Sequence, residues 1–136
     1  MDPLASIALI SGSGMRAQTE RMRVIAENVA NADVTGTTPG ADPYRRKTVT
    51  FAGMIDPGSG ADLVRVDRVG RDMSEFPVRY DPSHPAADER GFVKRSNVSS
   101  IIEMSNMREA TRSYEANMAM FEAGRGMRTR LLDMLR

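Results

Sequence analysis

The 136 residues contain no cysteine, no tryptophan and a single histidine. Without cysteine there is no disulfide framework, no thiol nucleophile and no zinc–thiolate site. One histidine, His84, argues against a catalytic triad or a multi-histidine metal site. Aromatic residues make up only 5% of the chain, so rigid apolar anchors are scarce. Neither sign of charge dominates: 19 Lys and Arg stand against 18 Asp and Glu. A nucleic-acid or membrane-surface protein usually carries a clear basic excess, and this one does not. No apolar run reaches the roughly 18 residues of a membrane span. The first positive charge, Arg16, follows the apolar stretch Leu4–Ile10 rather than preceding it, so no cleavable Sec-type signal is expected and any export takes another route. What is abundant is methionine, at 11 residues. Its flexible thioether side chain suits helix surfaces that repack against changing neighbours.

Length predicts one domain, or one domain with extended ends, and composition divides it in three. Residues 1–32 hold one proline, Pro3, at a position a helix start tolerates, with Asp2 as candidate N-cap. Leu4, Ala8, Ser11, Met15, Gln18, Met22, Ile25, Val29 and Ala32 recur at alternating spacings of four and three, a heptad-like seam. Residues 33–96 carry six of the seven prolines and seven of the eleven glycines. This is turn chemistry interleaved with short strand patterns at 44–51, 63–69, 76–80 and 91–94, a β-rich insert too poor in large apolar residues to be robust alone. Residues 97–136 contain no proline, and Asn97 or Ser99 can cap their helix. One row there runs through Met104, Met107, Tyr114, Met118, Phe121, Leu132 and Leu135; a second runs through Ala110, Asn117, Met120, Gly124, Met127, Leu131 and Met134. Two adjacent rows are wider than one helix pair can bury, which predicts further partners, copies of itself or related chains.

Candidate chemistry is thin. Ile7 to Ala17 can be written as a strand followed by G-x-G-x-x-A, with Asp33 where a ribose-binding acid would sit. A dinucleotide fold needs a second parallel strand after its helix, and turn-rich sequence follows instead. A glycine-containing helix surface is the better reading. His84 lies between prolines and reads as a loop residue. Asp42, Asp56, Asp62, Asp67 and Asp72 lack calcium-loop spacing. Arg45-Arg46-Lys47, with acids nearby, reads as a solvated or partner-facing strip rather than a nucleic-acid site. No residue is assigned a catalytic, cofactor or metal-binding role.

The ends of the chain are more specific. Met15-Arg16-Ala17-Gln18, Met22 to Ala32 (with Ala26, Asn28, Val29, Ala30 and Asn31), then Thr35, Tyr44 and Arg45, resemble the N-terminal helix and following strand of bacterial flagellar axial proteins. Glu103 to Asn117 is similar to that family's closing helix. The Pro39–Lys47 loop, the Asp81–Pro85 segment and the short insert narrow the resemblance to its proximal-rod members. Many axial proteins place Gly-Tyr directly after the Thr, whereas Thr37 to Pro43 here separate Gly36 from Tyr44.

This resemblance implies a mainly α fold with a small β-rich insert, its two terminal helices packed as an antiparallel coiled-coil-like pair and forming a helical tube with neighbouring subunits. The helical core would comprise residues 1–32 and 97–136, with 33–96 as the insert outside the tube. It implies a structural role, not an enzymatic one: polymerisation into the hollow drive shaft of the flagellar basal body, which transmits torque and conducts exported subunits. The expected partners are other rod proteins, the base of the rod, further copies of the chain and the flagellar type III export apparatus, with no cofactor, no nucleic acid and no membrane insertion. The expected location is the periplasmic rod. The expected interface comprises Met15, Met22, Ile25 and Val29 of the first helix and Met104, Met107, Tyr114, Met118, Phe121, Leu132 and Leu135 of the last. Asn28, Asn31 and Asn117 are expected to set register through buried amides, and Tyr44, Arg45 and Arg46 to form contacts of the insert. Beside it stand a helical-hairpin secretion adaptor or chaperone and, remotely, a dinucleotide-binding enzyme.

Overall fold

The computed structural model describes residues 2–135. Two long helices, α1 (Pro3–Ala30) and α2 (Ser100–Met134), enclose in sequence four strands: β1 (Lys47–Ile55), β2 (Asp62–Arg71), β3 (Val78–Tyr80) and β4 (Phe92–Lys94). Helix α1 starts where capping chemistry puts it. The Asp2 carboxylate accepts the Leu4 N–H at 3.0 Å, and Pro3 takes the first helical position, where its missing N–H costs nothing. The helix ends without glycine. The Asn31 side chain instead adds a second donor to the Glu27 carbonyl at 2.8 Å, beside its own backbone N–H at 3.1 Å.

The strands form two separate two-stranded sheets, β1 with β2 and β3 with β4. The link between β1 and β2 is too short for a crossover, so the pair is a hairpin. Its turn is closed by the Asp56 N–H donating to Ala61 O at 2.9 Å, with Gly60 at a φ of 69°. Strand β3 pairs antiparallel with β4, matching Val78 to Lys94 and Tyr80 to Phe92. Tyr80 and Phe92 meet edge to face at 5.4 Å. Gly91, at a φ of 84°, precedes Phe92; a Cβ there would lie 2.9 Å from Tyr80 Cε2, so both backbone and space require glycine.

The chain groups into two compact units, each mixing helix with insert. One comprises Met1–Met22, Val49–Arg68 and Arg108–Arg136; the other Arg23–Thr48 and Val69–Met107. Within the first, contacts between the two helices fall in opposite order along the chain. Ile7 meets Gly124, Gly14 meets Asn117, and Arg21 pairs with Glu109 at 3.3 Å. Within the second, Asn28 meets Glu103. Within the first unit each step of seven along α1 is thus answered by a step of seven or eight back along α2, and apart from Ile7 the residues at these steps are small or polar.

In the second unit the segment after α1 leaves on an excursion and returns to its base. The Tyr44 N–H donates to Val34 O at 3.1 Å, and Ala41 packs so closely on Gly36 that a Cβ there would lie 2.6 Å from the alanine methyl.

Candidate interaction surface

The root of the insert is a polar cluster around Asn28, which is 1% exposed. A neutral amide offers two donors and two acceptor sites, and Asn28 uses all four. Its Oδ1 accepts the Lys47 N–H at 2.9 Å and the Tyr44 hydroxyl at 2.8 Å. Its Nδ2 donates to Lys47 O at 2.9 Å and to Glu103 Oε2 at 3.3 Å. The side chain thereby pairs with both backbone groups of Lys47, as a neighbouring strand would. Burial pushes the Tyr44 phenol up from its ordinary value.

Glu103 is fully buried. Its second oxygen accepts from Arg46 Nε, and Arg46 also reaches Asp72 at 3.6 Å. The Arg46 backbone is held from both sides: its N–H donates to Asn97 Oδ1 at 2.8 Å and its carbonyl accepts the Asp72 N–H at 2.8 Å. The Ser74 N–H on the Asp72 carboxylate is the main reason that acid ionises below its ordinary range. Arg45 donates to Asp72 O at 2.8 Å and lies 4.1 Å above the Phe76 ring. Lys47 Nζ donates to Glu27 at 2.8 Å, and that bond is the largest cause holding the Glu27 carboxyl below the usual carboxylate range. The basic run Arg45-Arg46-Lys47 is therefore half-buried, with each member paired inside the protein. Asn97 does not cap α2; its amide ties Arg46 to Asp72 and Ser74. Sequence reading missed Asn97 and Glu103 as members of this cluster, because an Asn or Glu near a helix start reads first as a cap or a dipole charge.

In the first unit α1 meets both α2 and the β1–β2 hairpin. Ser13, 2% exposed, donates to Ile10 O at 2.7 Å and accepts the Val64 N–H at 3.1 Å, docking the hairpin on the helix. Gly12 and Gly14 lie in the middle of continuous helix with no strand before them, so the G-x-G-x-x-A pattern is helix surface. Among the described residues no group of three His, Asp or Glu could hold a metal ion, and no helix is long and apolar enough to cross a membrane. His84 lies in a turn, where its Nδ1 accepts the Ala86 N–H at 3.0 Å.

Of the expected interface residues, Ile25 is buried and Met15, Met22, Met107, Tyr114, Asn117, Phe121 and Asn31 are half-buried. Val29, Met104, Met118, Leu132 and Leu135 are exposed, the last by 84%. Asn117 and Asn31 bond to their own helices, at Ser113 O and Glu27 O, both at 2.8 Å. Met120, Met127, Leu131 and Met134 are also at least half exposed. Pro3, Leu4, Met127, Leu131 and Met134 line an open apolar groove of about 410 Å³. An apolar surface this extended is what an interaction site looks like on a chain standing alone.

Comparison with known proteins follows the two helices. Residues 9–37 match the family described as flagella basal body rod protein, and residues 89–134 match the flagellar basal body rod FlgEFG protein C-terminal family. The flagellar basal-body rod protein FlgC of Agrobacterium fabrum is 49% identical over 100% of this chain and 98% of its own. The FlgC protein of Salmonella typhimurium is 39% identical over 96% of this chain and 97% of its own. That of Bacillus subtilis is 34% identical over 92% and 93% respectively.

Proposed function

The chain belongs to the family of flagellar basal-body rod proteins and is a structural subunit of that rod, and from this membership we propose that it polymerises through its terminal helices into the proximal segment of a hollow drive shaft. In this reading residues 1–32 and 97–136 form the helical core, paired antiparallel in the manner of a coiled coil, and residues 33–96 lie outside the tube. The shaft conducts exported subunits through its lumen and carries torque through its wall. Its partners are other rod proteins, the base of the rod, further copies of this chain and, during delivery to the periplasm, the flagellar type III export apparatus.

The observation that carries the proposal is the distribution of apolar residues on α2. Ala110 and Gly124 face inward, while Met118, Met120, Met127, Leu131, Leu132 and Leu135 stay outside. Each such side chain contributes roughly 1.5–3 kcal/mol when fully buried. A neighbouring helix therefore finds its driving force on the faces that the helix pair leaves uncovered. Methionine lets the same face meet unlike neighbours. Met104, Met118, Leu132, Leu135 and Val29 are the residues we place in contact with adjacent subunits.

The test uses Met118→Glu and Leu132→Glu, which change exposed positions, with circular dichroism of each free variant to check that its helices form. Mass spectrometry of purified hook–basal bodies should recover the wild-type chain with other rod proteins and lose it in the variants, along with hook and motility. Full incorporation of both variants, with normal motility, would overturn the assignment of this face.

A further inference from the structure

We propose that the seating of α2 on α1 and the ordering of the insert's root are one event, coupled through Glu103, so that the root cannot set while the start of α2 is free. The argument stays within residues 23–48 and 69–107 and does not depend on how the rod is built.

Glu103 has no exposed surface, and its two carboxylate oxygens serve two different segments. One accepts from Asn28 on α1, the other from Arg46 beside the start of β1. Asn28 in turn divides its Nδ2 between Glu103 and Lys47 O. Arg46 divides its guanidinium between Glu103 and Asp72, and its backbone between Asn97 and Asp72. No two of these segments can be brought together without the third and still have all their polar groups paired. Without α2, Arg46 and Asn28 lose an acceptor. Without the root, a carboxylate stands buried with no cation, the arrangement proteins tolerate least. Asn97 holds Arg46 just before α2 begins, so both ends of the insert are tied to this point. A displacement of the start of α2, by a neighbour or during unfolding for export, is thereby transmitted to the base of both sheets.

The experiment is native-state hydrogen exchange on the full chain, read at the Lys47, Arg46 and Asp72 amides of the root and the Glu103 and Met107 amides of α2. The Asp81 amide, bonded to Gly91 O at 2.9 Å, serves as a control in the β3–β4 turn. In the wild type, root and α2 amides should share one opening, with the same dependence on denaturant. Glu103→Gln, which keeps the shape and removes the charge, should accelerate exchange at Lys47, Arg46 and Asp72 at least tenfold together with α2, and change Asp81 less. If Glu103→Gln fails to fold, the wild-type comparison alone decides. Root amides that stay protected while those of α2 exchange freely, in either protein, overturn the proposal.

Discussion

The amide of Asn117 fills the space that a methyl group on Gly14 would occupy: a Cβ added there would lie 2.6 Å from Asn117 Oδ1 and 2.8 Å from its Nδ2. Asn117 cannot simply swing away, because its Nδ2 is bonded to Ser113 O. Gly14→Ala should therefore destabilise the helix contact, although alanine improves local helix propensity by about 1 kcal/mol. Asn117→Ala should lose little in the Gly14→Ala background. Urea unfolding of the four proteins in this double-mutant cycle should give a coupling of about 1 kcal/mol. A coupling indistinguishable from zero would mean that the two residues do not share this space.

Two glycines of α2, two residues apart, should respond with opposite sign. A Cβ on Gly124 would lie 2.9 Å from Ile7 Cγ2 and 3.4 Å from its Cβ. A β-branched side chain in a helix has almost one rotamer, so it cannot yield. Gly124→Ala should destabilise, with an overpacking cost of about 1–3 kcal/mol exceeding the propensity gain. Gly126 has nothing within 4 Å of its added Cβ, and Gly126→Ala should raise stability by about 1 kcal/mol. Thermal unfolding curves of both variants check the pair, and equal shifts would contradict the contact.

Asn28→Ala removes the partners of Tyr44 Oη and of both backbone groups of Lys47 at once. With an unsatisfied buried group costing about 1–3 kcal/mol, this variant should be among the most destabilised in the chain. Tyr44→Phe deletes one of the bonds and should cost about 1 kcal/mol. The ordering of the two in equilibrium unfolding is the check.

Acid should weaken the protein through carboxylates that are stabilised when ionised. Glu27, Asp72 and Asp88 ionise below their ordinary range; for Asp88 the chief cause is the Phe92 N–H, bonded to its Oδ1 at 3.0 Å. Their contribution is fully present above the ordinary carboxylate value and is lost as pH falls through the lowered folded-state value. Asp88→Asn should flatten part of this acid limb, and the Phe92 amide resonance should titrate with Asp88 in the wild type. Tyr44 acts at the other end: with its phenol pushed up, its contribution holds below the ordinary phenol value and is lost as pH rises through the raised one. Ultraviolet titration of the phenolate should show the late ionisation of Tyr44, and Tyr44→Phe should abolish that step.

Both long helices, the Asp2–Pro3 start and the four short strands could be read from the sequence, because capping residues, proline placement and alternation act locally. The inner contact of the helices could be read only in part. A hydrophobic seam is drawn through the largest apolar residues, which on α1 means Met15, Met22 and Val29. The structure adds Gly14, one position before Met15, where a small residue lets the helices approach, while Met22 also meets α2 at the Thr111 hydroxyl, 3.8 Å away. The polar root was legible only in part: Asn28, Tyr44, Arg45 and Arg46 stood out, and their partners did not. Nothing local in Asn97, Glu103 or Arg46 says that residues up to 75 positions apart will pair. That depends on long-range folding, which composition and spacing do not encode.

The bond from Tyr44 to Val34 closes the base of the intervening loop just before Lys47. Closing a somewhat longer or shorter loop changes its entropy only slowly. Residues 35–43 can therefore be trimmed or extended without shifting the register in which Asn28 receives Lys47. A chain in which Tyr followed Gly36 at once could present the same clasp to the same helix, so relatives differing in loop length need not differ in how the insert is hung.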